Sequence, residues 1–238
     1  MRRIVTAALL VSLALFAAAC GSDKGAESQS ASASKTADKP PEEILRDSQD
    51  AFRAARSVRV TGKVVQSGKS IELDMRIVRG TGARGSIVND GVKVNLIRSE
   101  ERIWLRGEKF WQGAVGKEVA GRIGDKWVLV PANAAASAAS SIDAFTNLDG
   151  ILDQVLTPNG TLSKGARQDI RGVPAIGLDD GGSGTLWIAA EGQPYPLRIA
   201  PKPGSGEVEG QFIDFAEYNK KVAITAPKGA IEDPAALG

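Results

Sequence analysis

Cys20 is the residue whose type and position most directly indicate chemistry, because its thiol follows an apolar segment and the small residues Ala17, Ala18 and Ala19. It is the single cysteine of the chain, which excludes an intramolecular disulfide. A lone cysteine in this position is typical of a thiol that becomes joined to diacylglycerol through a thioether. We therefore predict lipidation at Cys20.

The segment before this cysteine has the features of an export signal. An apolar run follows Arg2 and Arg3 and ends near Phe16. This run is shorter than the roughly 20 residues that cross a bilayer as a helix, so cleavage is favoured over a retained span. Residues 1–19 are predicted to be a lipoprotein signal peptide, and the mature protein is expected on the outer face of the plasma membrane.

The stretch after the signal peptide is predicted to be a flexible tether, residues 20–39. Residues 21–39 contain no aromatic and no branched aliphatic side chain, so nothing there offsets the entropy of ordering the chain. A Gly/Ser/Ala-rich segment of this length reaches roughly 25 Å. A diacyl anchor on the cysteine would hold the folded part close to the membrane surface.

The residue inventory argues against an enzyme or a metal site. The chain has no histidine, and lipidation would consume its one thiol, which removes the commonest general base, zinc ligand and sulfur nucleophile. Carboxylate pairs occur at Glu100–Glu101 and Asp179–Asp180, but adjacent residues of a strand point to opposite faces, unlike a glycosidase pair. We predict no catalytic residues, no cofactor and no metal.

The charge balance argues against nucleic acid as a partner. Without Arg2 and Arg3 the mature chain has 28 basic and 28 acidic residues, and the two signs alternate along it. Residues 40–238 are long enough for one domain with a sizeable core, and we predict a single domain over this range.

The first half of this domain is predicted to be a helix followed by an antiparallel meander. The helix is predicted from Pro40 to about Arg56, because its prolines and acids suit a helix start and its apolar residues have helical spacing. The apolar period then changes to two, which predicts strands. Phe110 and Trp111 are predicted to end the last of them. The strands are predicted at 58–65, 71–77, 85–88, 92–96 and 102–106, with a short helix at 113–124 and an extended segment at 126–131.

The second half of the domain is also predicted to contain a helix followed by strands. Residues 132–141 are nearly all Ala and Ser, and both a connector and the start of a helix remain open there. An amphipathic helix of about four turns is predicted from the spacing of Phe145, Leu148, Ile151, Leu152 and Val155. Five further strands are predicted, at 166–178, 184–189, 197–200, 208–215 and 222–224.

These patterns predict an α+β fold with a curved antiparallel sheet of eight to ten strands. Strands with one apolar face need a cover, and two or three helices are available for it. Space between the sheet and the helices would be a candidate ligand site. The alternative is that the helices pack flush against the sheet and the interior is plain core.

The order of several motifs resembles the actinobacterial lipoproteins of the LppX/LprAFG family. The resemblance covers nearly all of residues 42–238 and lies in motifs that follow the signal peptide in the same order. These motifs are Trp104-Leu105-Arg106-Gly107, Phe110-Trp111, Lys126-Trp127-Val128, Gln193-Pro194-Tyr195-Pro196-Leu197-Arg198-Ile199, Asp214-Phe215 and Ile224-Thr225-Ala226-Pro227.

The resemblance implies a LolA-like half-barrel whose hydrophobic cavity holds acyl chains. The expected function is that of a membrane-anchored lipoprotein that binds a lipid or glycolipid in this cavity. Whether it also transfers that lipid is left open. The alternative is a protein-interaction or envelope-stress sensing module on the same fold, for which outer aromatic residues such as Trp104 and Trp187 would matter. The candidate cavity residues are Leu73, Met75, Ile77, Val94, Leu96, Ile103, Leu105, Leu186, Ile188, Leu197 and Ile199.

Overall fold

Three α-helices lie within the part of the chain that the computed structural model describes, residues 36–66, 68–100, 102–131, 146–158, 160–182, 184–202 and 210–232. Helix α1 begins with a proline, whose missing N–H needs no partner in the first turn, and two glutamates follow near the positive end of the helix dipole. A 3-10 turn at Thr36–Asp38 precedes α1 at Pro41–Ala54, α2 at Glu108–Ile123 and α3 at Leu148–Val155.

Eleven strands in the described ranges form one open, curved antiparallel sheet. Their order in the sheet is β6-β5-β4-β3-β2-β1-β11-β10-β9-β8-β7, so two consecutive meanders meet where β1 pairs with β11. The predicted α+β architecture is confirmed. The strands are β1 Ser57–Gln66, β2 Lys69–Val78, β3 Gly82–Asn89, β4 Val92–Ser99, β5 Arg102–Arg106, β6 Val128–Leu129, β7 Ser163–Ile170, β8 Val173–Asp179, β9 Gly184–Ala189, β10 Pro196–Pro201 and β11 Phe212–Ala216.

The helices cover one face of this sheet, which we call the inner face. Alternate strand residues such as Val60 and Met75 point to it and are buried, as the period of two requires. Helix α1 contributes Ile44 and Phe52 to the same core, where the Phe52 ring packs edge-on against that of Phe215 with centroids 6.0 Å apart. One continuous apolar core therefore lies between the sheet and its helices.

Two glycines allow neighbouring strands to approach closely on the inner face. A Cβ at Gly62 would lie 2.7 Å from the carbonyl oxygen of Phe212, and one at Gly85 would lie 2.1 Å from that of Asp74. No other residue fits there without moving a backbone. Glycines inside strands are a common device for bending a sheet around a core.

The segment predicted as one strand over 166–178 is a hairpin. Strands β7 and β8 pair with each other, and the chain reverses between Ile170 and Val173. Both turn residues have positive φ, 54° at Arg171 and 82° at Gly172, which is the conformation of a two-residue hairpin turn. Gly172 was the available sign of a turn in the sequence. The turn was missed because arginine is an uncommon residue at the first of the two turn positions.

Other element boundaries also differ from the prediction. Phe110 and Trp111 do not end β5 but lie in α2, which starts at Glu108 instead of residue 113. Residues 222–224 form no strand, and the sheet has eleven strands instead of eight to ten. Helix α3 has eight residues instead of four turns, because Asn147 caps it by accepting a bond from the backbone N–H of Asp149. Residues 132–141 and Phe145 lie outside the described residues.

The C-terminal segment, residues 218–232, crosses one end of the outer face. The backbone N–H of Asn219 donates to the carbonyl of Ser57 at the start of β1 over 2.9 Å. At the β6 edge of the sheet, Ile231 lies beside Val128 as an isolated β-bridge. The backbone N–H of Ile231 donates to the carbonyl of Trp127 over 2.8 Å, and the N–H of Leu129 donates to the carbonyl of Ile231 over 2.9 Å. The segment thus covers the β6 edge of the sheet, which would otherwise be open.

Candidate functional site

Most of the predicted cavity residues lie together on the inner face. Seven of the eleven are buried in its core: Leu73, Met75, Ile77, Leu96, Ile103, Leu105 and Ile188. Three others, Val94, Leu186 and Ile199, are partly buried and pack against that core. Leu197 is the exception, because a register shift in β10 between Pro196 and Arg198 takes it out of the alternation. It is half-buried outside this cluster.

Strand pairing arranges these side chains in rows across the sheet. One row, which we call the covered row, is buried at 9% exposure or less apart from its glycine. Its members sit opposite one another on seven strands. From β11 to β6 the covered row is Phe215, Val60, Met75, Gly85, Leu96, Leu105 and Val128.

The neighbouring row, two residues along each strand, is covered less completely. We call it the half-open row, and from β8 to β4 it consists of Leu178, Leu186, Ile199, Ile213, Gly62, Leu73, Ile87 and Val94. Five of its apolar side chains are only partly buried: Leu186, Ile199, Ile213, Ile87 and Val94. Partly exposed apolar side chains on five strands of one row, beside a packed core, are suited to a long apolar ligand.

Sequence reasoning missed two of the five partly buried side chains of the half-open row, as well as its buried Leu178. Ile87 alternates with Gly85 in β3, and Ile213 alternates with Phe215 in β11. The period of two could have found both, since each lies in a segment that was predicted as a strand. Their place opposite Val94 and Ile199 follows from strand register, which the sequence does not specify by itself.

Helix α2 covers the inner face only near its two ends. Trp111, Ala120 and Ile123 are its buried residues, whereas residues 113–118 are exposed. Gly116 interrupts the helix with a φ of 82° and a ψ of 163°, and a Cβ there would meet nothing within 4 Å. The middle of α2 is therefore held by few contacts, and Val115 is 42% exposed on it.

Two polar atoms in the helices are buried without a hydrogen-bond partner among the described residues. They are the hydroxyl oxygen of Ser48 on α1 and the indole nitrogen of Trp111 on α2. Ser48 is fully buried and Trp111 is 9% exposed. Unpaired buried polar atoms cost free energy, so each would gain from a ligand atom that pairs with it.

The outer face of the same strands is charged. Arg59 binds both carboxylate oxygens of Asp74, at 2.9 and 2.8 Å, and also Glu217 at 2.9 Å. Hydrogen bonding to Arg59 lowers the pKa of Asp74 and of Glu217 below their usual values and raises the pKa of Arg59. Further along, Arg198 binds the buried Asp214 in the same two-oxygen geometry.

Trp104 is not available as a surface contact. It points to the outer face but is only 1% exposed, because Ile224 of the C-terminal segment packs over it together with Ile97. Arg102 stacks on its ring at 4.8 Å. The interpretation of Trp104 as a docking aromatic is therefore wrong, whereas Trp187 is half-buried on the outer face.

The predicted lipidation site, Cys20, lies outside the described residues. No helix in the described ranges is long and apolar enough to cross a membrane. Within those ranges there is also no group of three or more carboxylate, cysteine or histidine side chains that could hold a metal ion.

Comparison with solved structures identifies the fold. LprF from Mycobacterium bovis superimposes with a TM-score of 0.54 over 79% of this chain and 97% of its own, at 16% sequence identity. This chain has the LprF fold. The predicted resemblance to LppX/LprAFG-type lipoproteins is thus confirmed at the level of the fold. No protein-family model and no curated sequence matches the chain.

More distant matches come from MucB. The crystal structure of MucB in complex with MucA(peri) matches at 12% identity with a TM-score of 0.38, covering 79% of this chain and 60% of that chain. The Pseudomonas aeruginosa MucA/MucB complex matches at 13% identity with a TM-score of 0.34, covering 83% and 60%. This chain thus spans less than two thirds of the length of MucB.

Proposed function

We propose that this protein is a lipoprotein anchored outside the plasma membrane through Cys20. We also propose that residues 40–238, together with Thr36 and Ala37 of the predicted tether, which are buried, form a single domain that binds a lipid or glycolipid on its inner face. The signal peptide and tether of the sequence support the anchor, and the LprF fold supports the domain. The proposed role is binding, with transfer between membranes as its natural use, and involves no bond chemistry.

The half-open row is the observation that carries the proposal. The row runs across eight strands, and on five of them its apolar side chains, Leu186, Ile199, Ile213, Ile87 and Val94, are only partly buried. About 30 methylenes of a diacyl lipid would cost on the order of 24 kcal/mol to expose to water, at about 0.8 kcal/mol each. A carrier therefore needs an apolar surface of this length.

Two buried polar atoms of the helices fit the same ligand class. Ser48 and Trp111 each bury a polar atom that has no partner in the described part of the chain. The ester, hydroxyl or amide groups of a lipid or glycolipid would satisfy such atoms, whereas a pure hydrocarbon would not. The broken middle of α2 supplies a weakly held cover that entry of such a ligand could displace.

Native mass spectrometry with lipid identification tests the proposal directly. The protein should start at Gly21 and lack the anchor cysteine, but it should keep Thr36 and Ala37, which are buried in the folded part. We expect a stoichiometric diacyl lipid or glycolipid to co-purify. A stable protein without lipid under mild extraction would count against the proposal.

A matched pair of variants places the lipid on the inner face. Val94→Gln adds a polar group to the half-open row and should reduce bound lipid several-fold. Lys93→Gln changes the adjacent, exposed residue that points outward, and it should leave the lipid content unchanged. Equal lipid content in both variants would place the ligand elsewhere.

The anchor has a separate test. Cys20→Ser removes the thiol that would receive the diacylglyceryl group. Metabolic labelling with a radioactive fatty acid should label the native chain and not this variant. Labelling that survives the substitution would exclude Cys20 as the anchor site.

The alternative function, a protein-interaction or envelope-stress sensing module, is favoured by the β7 edge. Within the described residues β7 pairs with β8 alone, and most of its side chains are exposed. Such an edge can accept a strand from another protein. A photo-crosslinker at the exposed Gln168 would test this, because one specific protein adduct on lipid-free protein would favour the module over the carrier.

A further inference from the structure

A pocket of about 250 Å³ lies on the outer face, on the side opposite to the proposed lipid site. Its floor is made of small residues that sit opposite each other on β3 and β4, Ser86 and Asn95. Asp74 and Arg106 continue this line of residues on either side. The pocket is smaller than the roughly 300–1,000 Å³ of pockets that hold drug-sized ligands, so it suits one small polar group.

Three guanidinium groups surround this floor. Arg76 and Arg84 lie directly opposite each other on adjacent strands, and Arg106 lies across the pocket with Trp127 behind it. The Arg106 guanidinium stacks on the Trp127 ring at 4.9 Å, which fixes its plane. Like charges in directly opposite positions destabilise a sheet. Glu217 at 3.4 Å and Asp74 at 3.9 Å compensate Arg76, whereas no ion pair of Arg84 occurs among the described residues.

The donors of two of these arginines are far from saturated. Among the described residues, the hydrogen bond of Arg84 is a long one of 3.4 Å to the carbonyl of Ala223. The Nε of Arg106 is buried and donates to no atom in the described part of the chain, and the carboxylate it approaches, Asp125, is 3.8 Å away and 83% exposed. Guanidinium groups that line a pocket and have few or only distant hydrogen-bond partners are suited to a ligand with several oxygen acceptors.

The carboxylates near the pocket do not cancel this charge. Asp74 lines the pocket, but both its oxygens are bound by Arg59 at 2.9 and 2.8 Å. Glu217 is bound by Arg59 and lies 3.4 Å from Arg76. Positive charge therefore remains on the side of Arg84 and Arg106.

From this geometry we infer that the pocket between β2 and β5 on the outer face binds a phosphate-type oxyanion through Arg84 and Arg106, with Arg76, Ser86 and Asn95 at its floor and wall. The anion is either a soluble phosphate or the phosphate of a lipid headgroup presented at the membrane surface. The site is independent of the inner face, because the side chains of alternate residues point to opposite faces of the same strands.

Binding should be measured on the full mature chain carrying Cys20→Ser, so that no anchor lipid contributes. Calorimetric titration with inorganic phosphate and with glycerol 3-phosphate tests the soluble source. Co-sedimentation with vesicles of phosphatidylglycerol in phosphatidylcholine, against phosphatidylcholine alone, tests the headgroup. We expect saturable binding in at least one arm at constant ionic strength.

Matched arginine variants separate the site from general charge. Arg84→Gln and Arg106→Gln should each weaken binding about tenfold or more, since each removes charge-assisted hydrogen bonds. Arg53→Gln removes the same charge from the exposed face of α1, where Arg53 pairs with Asp50, and it should change binding less than about twofold. If Arg106→Gln fails to fold, Arg84→Gln carries the test, because Arg84 is an exposed side chain.

Each outcome decides the inference. Phosphate binding in solution that depends on Arg84 assigns a soluble ligand, and binding only to phosphatidylglycerol vesicles with the same dependence assigns a headgroup. Absence of saturable binding in every arm, or an equal loss in Arg53→Gln, overturns the site. The lipid content of the inner face should be the same in Arg84→Gln and the native chain, so failure here is distinguishable from failure of the lipid proposal.

Discussion

The two faces of the sheet are built from the same strands and differ in almost every physical property. On the inner face, Met75 and Leu96 are buried in one apolar core under three helices. On the outer face, their chain neighbours Asp74 and Asn95 line a polar pocket, and the C-terminal segment covers another part of that face. The alternation of residues along a strand thus gives one domain two chemically different surfaces.

The largest expected effect comes from removing an anchor of the inner face. Phe52→Ala should lower the free energy of unfolding by about 3–5 kcal/mol, because the ring is 1% exposed and packs against Phe215 and Tyr218. Arg53→Ala, at the next residue of α1, is half exposed and should change it by less than about 0.5 kcal/mol. Chemical denaturation measures both, and similar losses would show that α1 is not held through this face.

Two glycine substitutions should change the stability of the protein in opposite directions. Gly85→Ala places a Cβ 2.1 Å from the backbone oxygen of Asp74 and should destabilise the protein by about 3 kcal/mol. Gly113→Ala meets nothing within 4 Å on helix α2 and should stabilise it by about 0.5–1 kcal/mol. Thermal unfolding of the pair decides whether close strand approach at Gly85 is required, and a neutral Gly85→Ala would contradict that.

The C-terminal segment can be tested at the residue that covers Trp104. Ile224→Ala should cost about 2 kcal/mol and expose the indole, because Ile224 is 8% exposed against it. Acrylamide quenching of tryptophan fluorescence should increase along with the loss of stability. Thr225→Ala, an exposed neighbour on the same segment, is the control and should change neither.

The smallest effect concerns the ion pairs of the outer face and depends on pH. Arg59, Arg76 and Lys93 face Asp74, and the two arginines also face Glu217. The folded-state pKa values of these carboxyls are lowered from ordinary values of 3.8 and 4.5, so their stabilising contribution is present above about pH 5 and is lost as pH falls through the folded values.

Arg59→Gln should therefore lower the free energy of unfolding by less than about 1 kcal/mol at pH 7, since the pairs are partly exposed. The difference from the native chain should shrink as the pH falls below 4.5. Lys63→Gln, which removes the more exposed ion pair with Glu72, is the control. A difference that grows towards low pH would show that the sign of the linkage is wrong.

Much of the fold could be predicted from single elements. Strand β5 was predicted with its bounds of 102–106 and with Ile103 and Leu105 on one face and Trp104 on the other, as observed. The 170–173 hairpin and the start of α2 were not predicted, because a turn through Arg171 and a helix that includes two aromatic residues carry weak local signals.

The candidate site was predicted in its residues more than in its geometry. Ten of the eleven cavity candidates face one cluster, since alternation alone determines which side of a strand a residue takes. Which row the helices would cover completely and which they would leave half open depended on where α1, α2 and α3 pack. Sequence patterns contain no information on where these helices pack against the sheet.

The amino-acid sequence alone establishes the single cysteine, the lack of histidine and the alternation that gives each strand two faces, and it predicts the export signal. These properties depend on residue types and on neighbours along the chain. Three features could be seen in the tertiary structure alone: the half-open row, the burial of Trp104 under Ile224 and the grouping of Arg76, Arg84 and Arg106. Each joins residues that are distant in the chain, and register, curvature and helix packing bring such residues together only in the folded state.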